Sequence, residues 1–116
     1  MKPKNILVLE KMLQHIRSIQ TYCSGCGSRQ EFEADSMRVE ATVFNLMQLG
    51  ELAKESLDDA TKEQLSMIPW HQIYGLRNRI VHGYSGVNMQ IVWDTVAEDI
   101  PALKAELETA MKKMGQ

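Results

Sequence analysis

The sequence has 116 residues, 44% hydrophobic and 24% charged, with a formal net charge of -2 at pH 7. That length suits one domain, residues 1–116, with one core and no room for a second. The balance excludes a uniformly basic nucleic-acid binder, and no apolar run is long enough to span a membrane. The basic start Met1-Lys2-Pro3-Lys4-Asn5 is followed by Glu10 and Lys11, which break any secretory pattern, so the expected compartment is the cytoplasm.

Read in chain order, the hydrophobic period is helical throughout. Ile6, Leu9, Leu13 and Ile16 step by three and four and predict an amphipathic helix over residues 4–22. Cys23-Ser24-Gly25-Cys26-Gly27-Ser28 ends it. The two cysteines are half a zinc site at best, since structural zinc takes four ligands. A redox Cys-x-x-Cys would open a helix after a strand, and no strand precedes this one, so a plain turn is the favoured reading. Ser28 and Glu31 resemble a capping box for a short helical turn.

From Asp35, the stripe Val39, Val43, Leu46, Gly50, Ala53 and Leu57 predicts a long helix. Gly50 costs about 1 kcal/mol of helix propensity against alanine, and close approach of a neighbouring helix is the expected compensation. Residues 58–66 read as a short connecting helix with Thr61 as its cap. Pro69 opens a helix from Trp70 to about His82, and Gly83 is a natural left-handed stop. Asn88 caps a last helix carrying Val92, Val96, Ile100, Leu103, Leu107, Met111 and Met114, with a kink expected at Pro101. The fold class that follows is all-α, a four- to five-helix up-and-down bundle.

Charge is unevenly spread. None of the 15 Asp and Glu falls between Glu63 and Asp94, whereas Arg77, Arg79, His71 and His82 do. Such a window suits a local anion site, and equally suits a buried helix pair. It also suits a metal-free site, because hard cations need carboxylate oxygens. Arg77 offers a permanently charged fork that matches phosphate oxygens, and His82 can exchange a proton near neutral pH. On one helix the two would lie roughly 140° apart, so the helix must unwind at Gly83 or a second copy must face the first. Arg79 lies on another face, and reads equally as a phosphate contact or a solvated charge. Trp70, Tyr74 and Trp93 read as core more than base-stacking residues, and His15 and His71 as incidental. Glu51 could pair with Arg77 and orient it.

Arg77-Asn78-x-x-x-His82 resembles the Arg-polar-x3-His signature of HEPN domains, and Arg77…His82-Gly83-Tyr84 resembles their HepT-like branch. The flanks are similar too: Pro69-Trp70, Gly75-Leu76, Leu49-Gly50-Glu51 and Val92-Trp93…Ile100-Pro101. The resemblance covers about residues 35–105 by motif and the first helix only by pattern. It implies a homodimeric HEPN bundle and a metal-independent RNase toxin with no cofactor. Its partners would be RNA and a nucleotidyltransferase antitoxin of the MntA type. It implies that His82 is the acid/base for 2′-hydroxyl attack, that Arg77 stabilises the phosphorane charge, and that Asn78 orients Arg77 or the phosphate. Arg79 could contact RNA phosphate. Tyr84 would be the residue that the antitoxin AMPylates. The alternatives are a non-catalytic partner subunit of a minimal nucleotidyltransferase and a purely structural dimer.

Overall fold

The computed structural model describes residues 2–81 and 86–114. It is an all-α bundle. Its elements are α1 (Pro3–Tyr22), α2 (Arg29–Glu33), α3 (Ser36–Glu51), α4 (Asp59–Gln64), α5 (Trp70–Tyr74), α6 (Leu76–Ile80), α7 (Met89–Asp94) and α8 (Ile100–Met114). A π-helical turn, Leu52–Ser56, continues α3, and another, Thr95–Asp99, joins α7 to α8. The long rods are therefore α1, α3, the α5–α6 pair and α7–α8, with α2 and α4 as short connectors. Among the described residues, no helix is long and apolar enough to cross a membrane.

Period dictates burial. Leu9, Met12, Ile16 and Ile19 put a fully buried stripe of α1 against Leu46 and Leu49 of α3 and Leu107 of α8. The stripe runs through Met12, with Ile6 only half-buried. The short α2 is held by one anchor: Phe32 is fully buried and meets the Trp93 ring at 5.8 Å between centroids. Ser28 caps it by accepting from the Glu31 N–H, and Glu31 reaches back to the N–H of Gly27 rather than that of Ser28. His15, read from sequence as incidental, joins two rods. Its Nδ1 lies 2.7 Å from Asn45 Oδ1, and the Asn45 amide nitrogen donates to the Ala41 carbonyl. That second bond orients the amide, so the imidazole must carry its proton on Nδ1.

Two helix boundaries differ from the sequence reading. The cap of α4 is Asp58, not Thr61: the Asp58 carboxylate accepts from the Thr61 N–H at 2.9 Å. Asp58 also accepts from the amide of the buried Asn5 at 3.1 Å, tying α4 to the start of α1. Hydrogen bonds from Thr61, and then from Asn5, hold its carboxyl below the ordinary value, at about 2. Because the folded value is the lower one, this contribution is complete above the ordinary pKa and is lost as pH falls toward 2. Asp58→Ala should therefore lower the melting temperature at pH 6. The gap from the parent protein should close as pH falls from 4 to 2, read by circular dichroism melts across that range.

The second difference concerns the end of the Trp70 helix. Gly75, with ψ near zero, divides it into α5 and α6, and α6 stops at Ile80. Gly83, the anticipated stop, lies outside the described residues. Val81 is already extended (φ -101°, ψ 122°) and pairs antiparallel with Val87. The Asn88 N–H donates to the Ile80 carbonyl at 2.7 Å, so the returning chain satisfies the helix end. A β-branched residue at 81 suits that extended pairing.

The last rod follows expectation. Asn88 caps α7 through the Ile91 N–H. The irregularity falls just ahead of Pro101, which has no N–H for the Ala97 carbonyl and crowds it with its ring. The wider π turn at Thr95–Asp99 opens that space.

Candidate functional site

The site is built on α5 and α6, and their position is set by α3. Gly50 lies where the rods touch: a Cβ there would sit 3.0 Å from the Ile73 carbonyl oxygen and 3.9 Å from Leu76 Cβ. That close approach is the compensation anticipated for a glycine in mid-helix. Ile73, Leu76 and Ile80 bury the inner face of α5–α6. Trp70 anchors its start, with the indole N–H shared between the carbonyls of Lys62 and Leu65 at 3.2 and 3.1 Å. Trp70 is therefore structural.

With the apolar residues turned inward, Arg77, Asn78 and Arg79 are exposed in succession on α6. Arg77 and Asn78 make no side-chain hydrogen bond or ion pair among the described residues. The suggested Glu51–Arg77 pair does not form: Glu51 is exposed on α3 and carries no ion pair among those residues. It stands on the solvent side of α3, away from the Gly50 contact. Arg79 is engaged differently, its guanidinium donating to the Gln72 carbonyl at 3.2 Å and stapling α6 to α5 across Gly75. It also lines a groove of about 200 Å³ with Asp99 and Glu106 of the last rod. The carboxylate-free window in sequence is thus not carboxylate-free in space on the Arg79 side.

His82 and Tyr84 lie outside the described residues, whereas the residues that flank 82–85 are described. On either side of residues 82–85, Val81 bridges to Val87, the Asn88 N–H donates to the Ile80 carbonyl, and Gly86 carries a positive φ of 87°. The chain leaves helical geometry at Val81, one residue before His82. The separation of roughly 140° calculated for an unbroken helix therefore does not apply. Helix α6 thus ends at Ile80, three residues before Gly83, and His82 itself lies outside the described residues.

Near α5, Tyr74 is half-buried, with the Lys62 ammonium 4.8 Å from its ring centroid and the His71 ring edge-on at 6.0 Å. Sequence reading had left this group as separate core and incidental residues. Its one advance signal was the spacing of three between His71 and Tyr74.

The fold and this surface define a class: an all-helical bundle with consecutive exposed polar residues on the short helix α6. The family model described as "Ribonuclease HepT-like" matches residues 12–110, and the chain belongs to that family. It is 32% identical to a protein of Caldanaerobacter subterraneus named "Putative RNase", over 90% of this chain and 92% of that one. It is 34% identical to the "Probable ribonuclease HepT" of Thermococcus cleftensis, over 72% of this chain and 74% of that one. A "Putative RNase" of Methanocaldococcus jannaschii is 33% identical over 67% of this chain and 71% of the other. Comparison with solved structures found no match.

Proposed function

We propose that this protein is a metal-independent endoribonuclease, the toxin of a toxin–antitoxin pair, acting as a homodimer on RNA. The observation that carries the reading is the exposure of Arg77 and Asn78 on α6, the helix that ends one residue before Val81 and two before His82 in sequence. Exposed donors without a partner among the described residues, on a packed helix, suit recognition of a phosphate. The family membership and the names of the relatives support RNA as the substrate.

In this mechanism His82 takes the proton from a ribose 2′-hydroxyl, and that oxygen attacks the adjacent phosphorus. Arg77 neutralises the charge that builds on the five-coordinate phosphorus. Asn78 holds the phosphate or Arg77 in register. The 5′-oxygen leaves, breaking its bond to phosphorus and taking a proton from solvent, which gives a 2′,3′-cyclic phosphate and a 5′-hydroxyl. Facing copies of α6 would supply both motifs to one cleft. Arg79 has a smaller part than Arg77, because its guanidinium already serves Gln72.

The test is incubation of the purified protein with total RNA in EDTA. Cleavage that survives chelation and yields cyclic-phosphate ends supports the reading. No cleavage by any preparation, with an intact complex with the nucleotidyltransferase partner, overturns it in favour of a non-catalytic subunit.

Control is assigned to Tyr84. An MntA-type nucleotidyltransferase would direct the Tyr84 phenol onto the α-phosphate of ATP, releasing pyrophosphate and leaving AMP on the ring. The added negative charge would lie where RNA must bind. Incubation with the partner, ATP and Mg²⁺ should raise the mass in AMP steps and stop RNA cleavage. A mass increase that persists in Tyr84→Phe would place the acceptor elsewhere.

A further inference from the structure

The Cys23–Cys26 segment is not used by the chemistry above, and its structure is more specific than a plain turn. The Cys26 N–H donates to the Cys23 carbonyl at 3.0 Å, and Gly25 between them has a φ of +84°. This is a hydrogen-bonded β-turn with the two cysteines at its ends. Such a turn holds its end Cα atoms within about 7 Å, which overlaps the range of about 4.4–6.8 Å that a disulfide needs. Both residues open on the same cavity, of about 420 Å³, walled by Trp93 and Pro101. Cys23 is buried with its sulfur 3.6 Å from Thr42 Oγ1 on α3, whereas Cys26 is partly exposed. Among the described residues no three metal-ligating side chains gather, so a closed structural metal site is not formed there.

We propose that Cys23 and Cys26 are a dithiol site that a low-molecular-weight disulfide, such as oxidised glutathione, closes to an intramolecular disulfide. The accessible Cys26 thiolate attacks one sulfur of the small disulfide, breaking its S–S bond and releasing one small thiol. Cys23 then attacks Cys26 Sγ, losing its proton to solvent and releasing the second small thiol. The two protein thiols are oxidised by two electrons, and one small disulfide is reduced to two thiols.

The order follows from access, since Cys26 meets solvent first and Cys23 resolves the adduct. It also follows from electrostatics: burial, foremost, and then the Cys26 charge hold the Cys23 thiol above its ordinary value, against hydrogen bonding from Thr42. Cys23 is the C-cap of α1, and Cys26 lies two residues before the Ser28 cap of the short α2. Closure draws Cys23 Sγ away from Thr42, loosening one contact between α1 and α3.

Trypsin places both cysteines in one peptide, residues 18–29, bounded by Arg17 and Arg29. The intact protein is treated with oxidised glutathione, alkylated with iodoacetamide, digested and weighed. The expected wild-type peptide is unalkylated and two hydrogens lighter than the reduced form. Cys23→Ser, a near-isosteric change, should instead keep glutathione on Cys26. A wild-type peptide that takes two alkyl groups at every glutathione ratio overturns the proposal. So does a stable glutathione adduct on wild-type Cys26, or a disulfide joining two chains.

Discussion

His82→Ala should reduce RNA cleavage roughly a hundred- to ten-thousand-fold, the usual worth of a positioned general acid or base, while leaving the melting temperature close to that of the parent. Arg77→Ala should cost roughly a hundred- to a thousand-fold, as loss of one charge-stabilising donor does. Arg77 is exposed and unpaired among the described residues, so its removal breaks no structural bond there. Arg77→Lys should fall between, because lysine keeps the charge and loses the fork. The pH dependence separates the two roles. A His82 base predicts a rate that rises through the histidine range, and the Arg77 variants should keep that profile at lower amplitude. If His82→Ala cleaves at the parental rate, the acid/base assignment is wrong, whatever Arg77 does.

Gly50→Leu should damage the protein by a different route. A side chain at 50 begins 3.0 Å from the Ile73 carbonyl, an atom held in the backbone of α5. It cannot rotate away, so the rods must part. Overpacking of this kind costs about 1–3 kcal/mol. The displaced element is α5–α6, so RNA cleavage should fall by more than the lost stability explains. Gly50→Ala should be milder, because alanine recovers about 1 kcal/mol of helix propensity while requiring a smaller shift. Guanidinium unfolding and single-turnover cleavage of the two variants check this together. A stable, fully active Gly50→Leu would mean that α3 does not set the position of α6.

Much of the fold was legible because burial follows period. The stripes through Leu46, Gly50 and Ala53 and through Ile100, Leu103 and Leu107 are buried in the bundle as read. Asn88 caps as read, and the helix irregularity before Pro101 was readable from the missing N–H alone. The cap at Asp58 was within reach of sequence rules but was displaced by Thr61, another capping residue nearby. Its reach to the buried Asn5 could not be seen from local spacing.

Of the candidate site, sequence supplied the residue types and their order, and the exposed run Arg77-Asn78-Arg79 follows from the apolar positions at 73, 76 and 80. The tertiary structure decided what surrounds that run. Helix α6 ends at Ile80 because Val87 and Asn88 return to pair with Val81 and Ile80. Arg79 is turned to Gln72 and lines a groove with Asp99 and Glu106, and Glu51 forms no ion pair with Arg77. The physical reason is range. Amphipathic period, caps and proline act within a few residues of themselves, so a sequence determines its helices and their buried faces. A helix end closed by a returning segment, or an arginine set beside the carboxylates of another rod, depends on partners that only the packed bundle brings together.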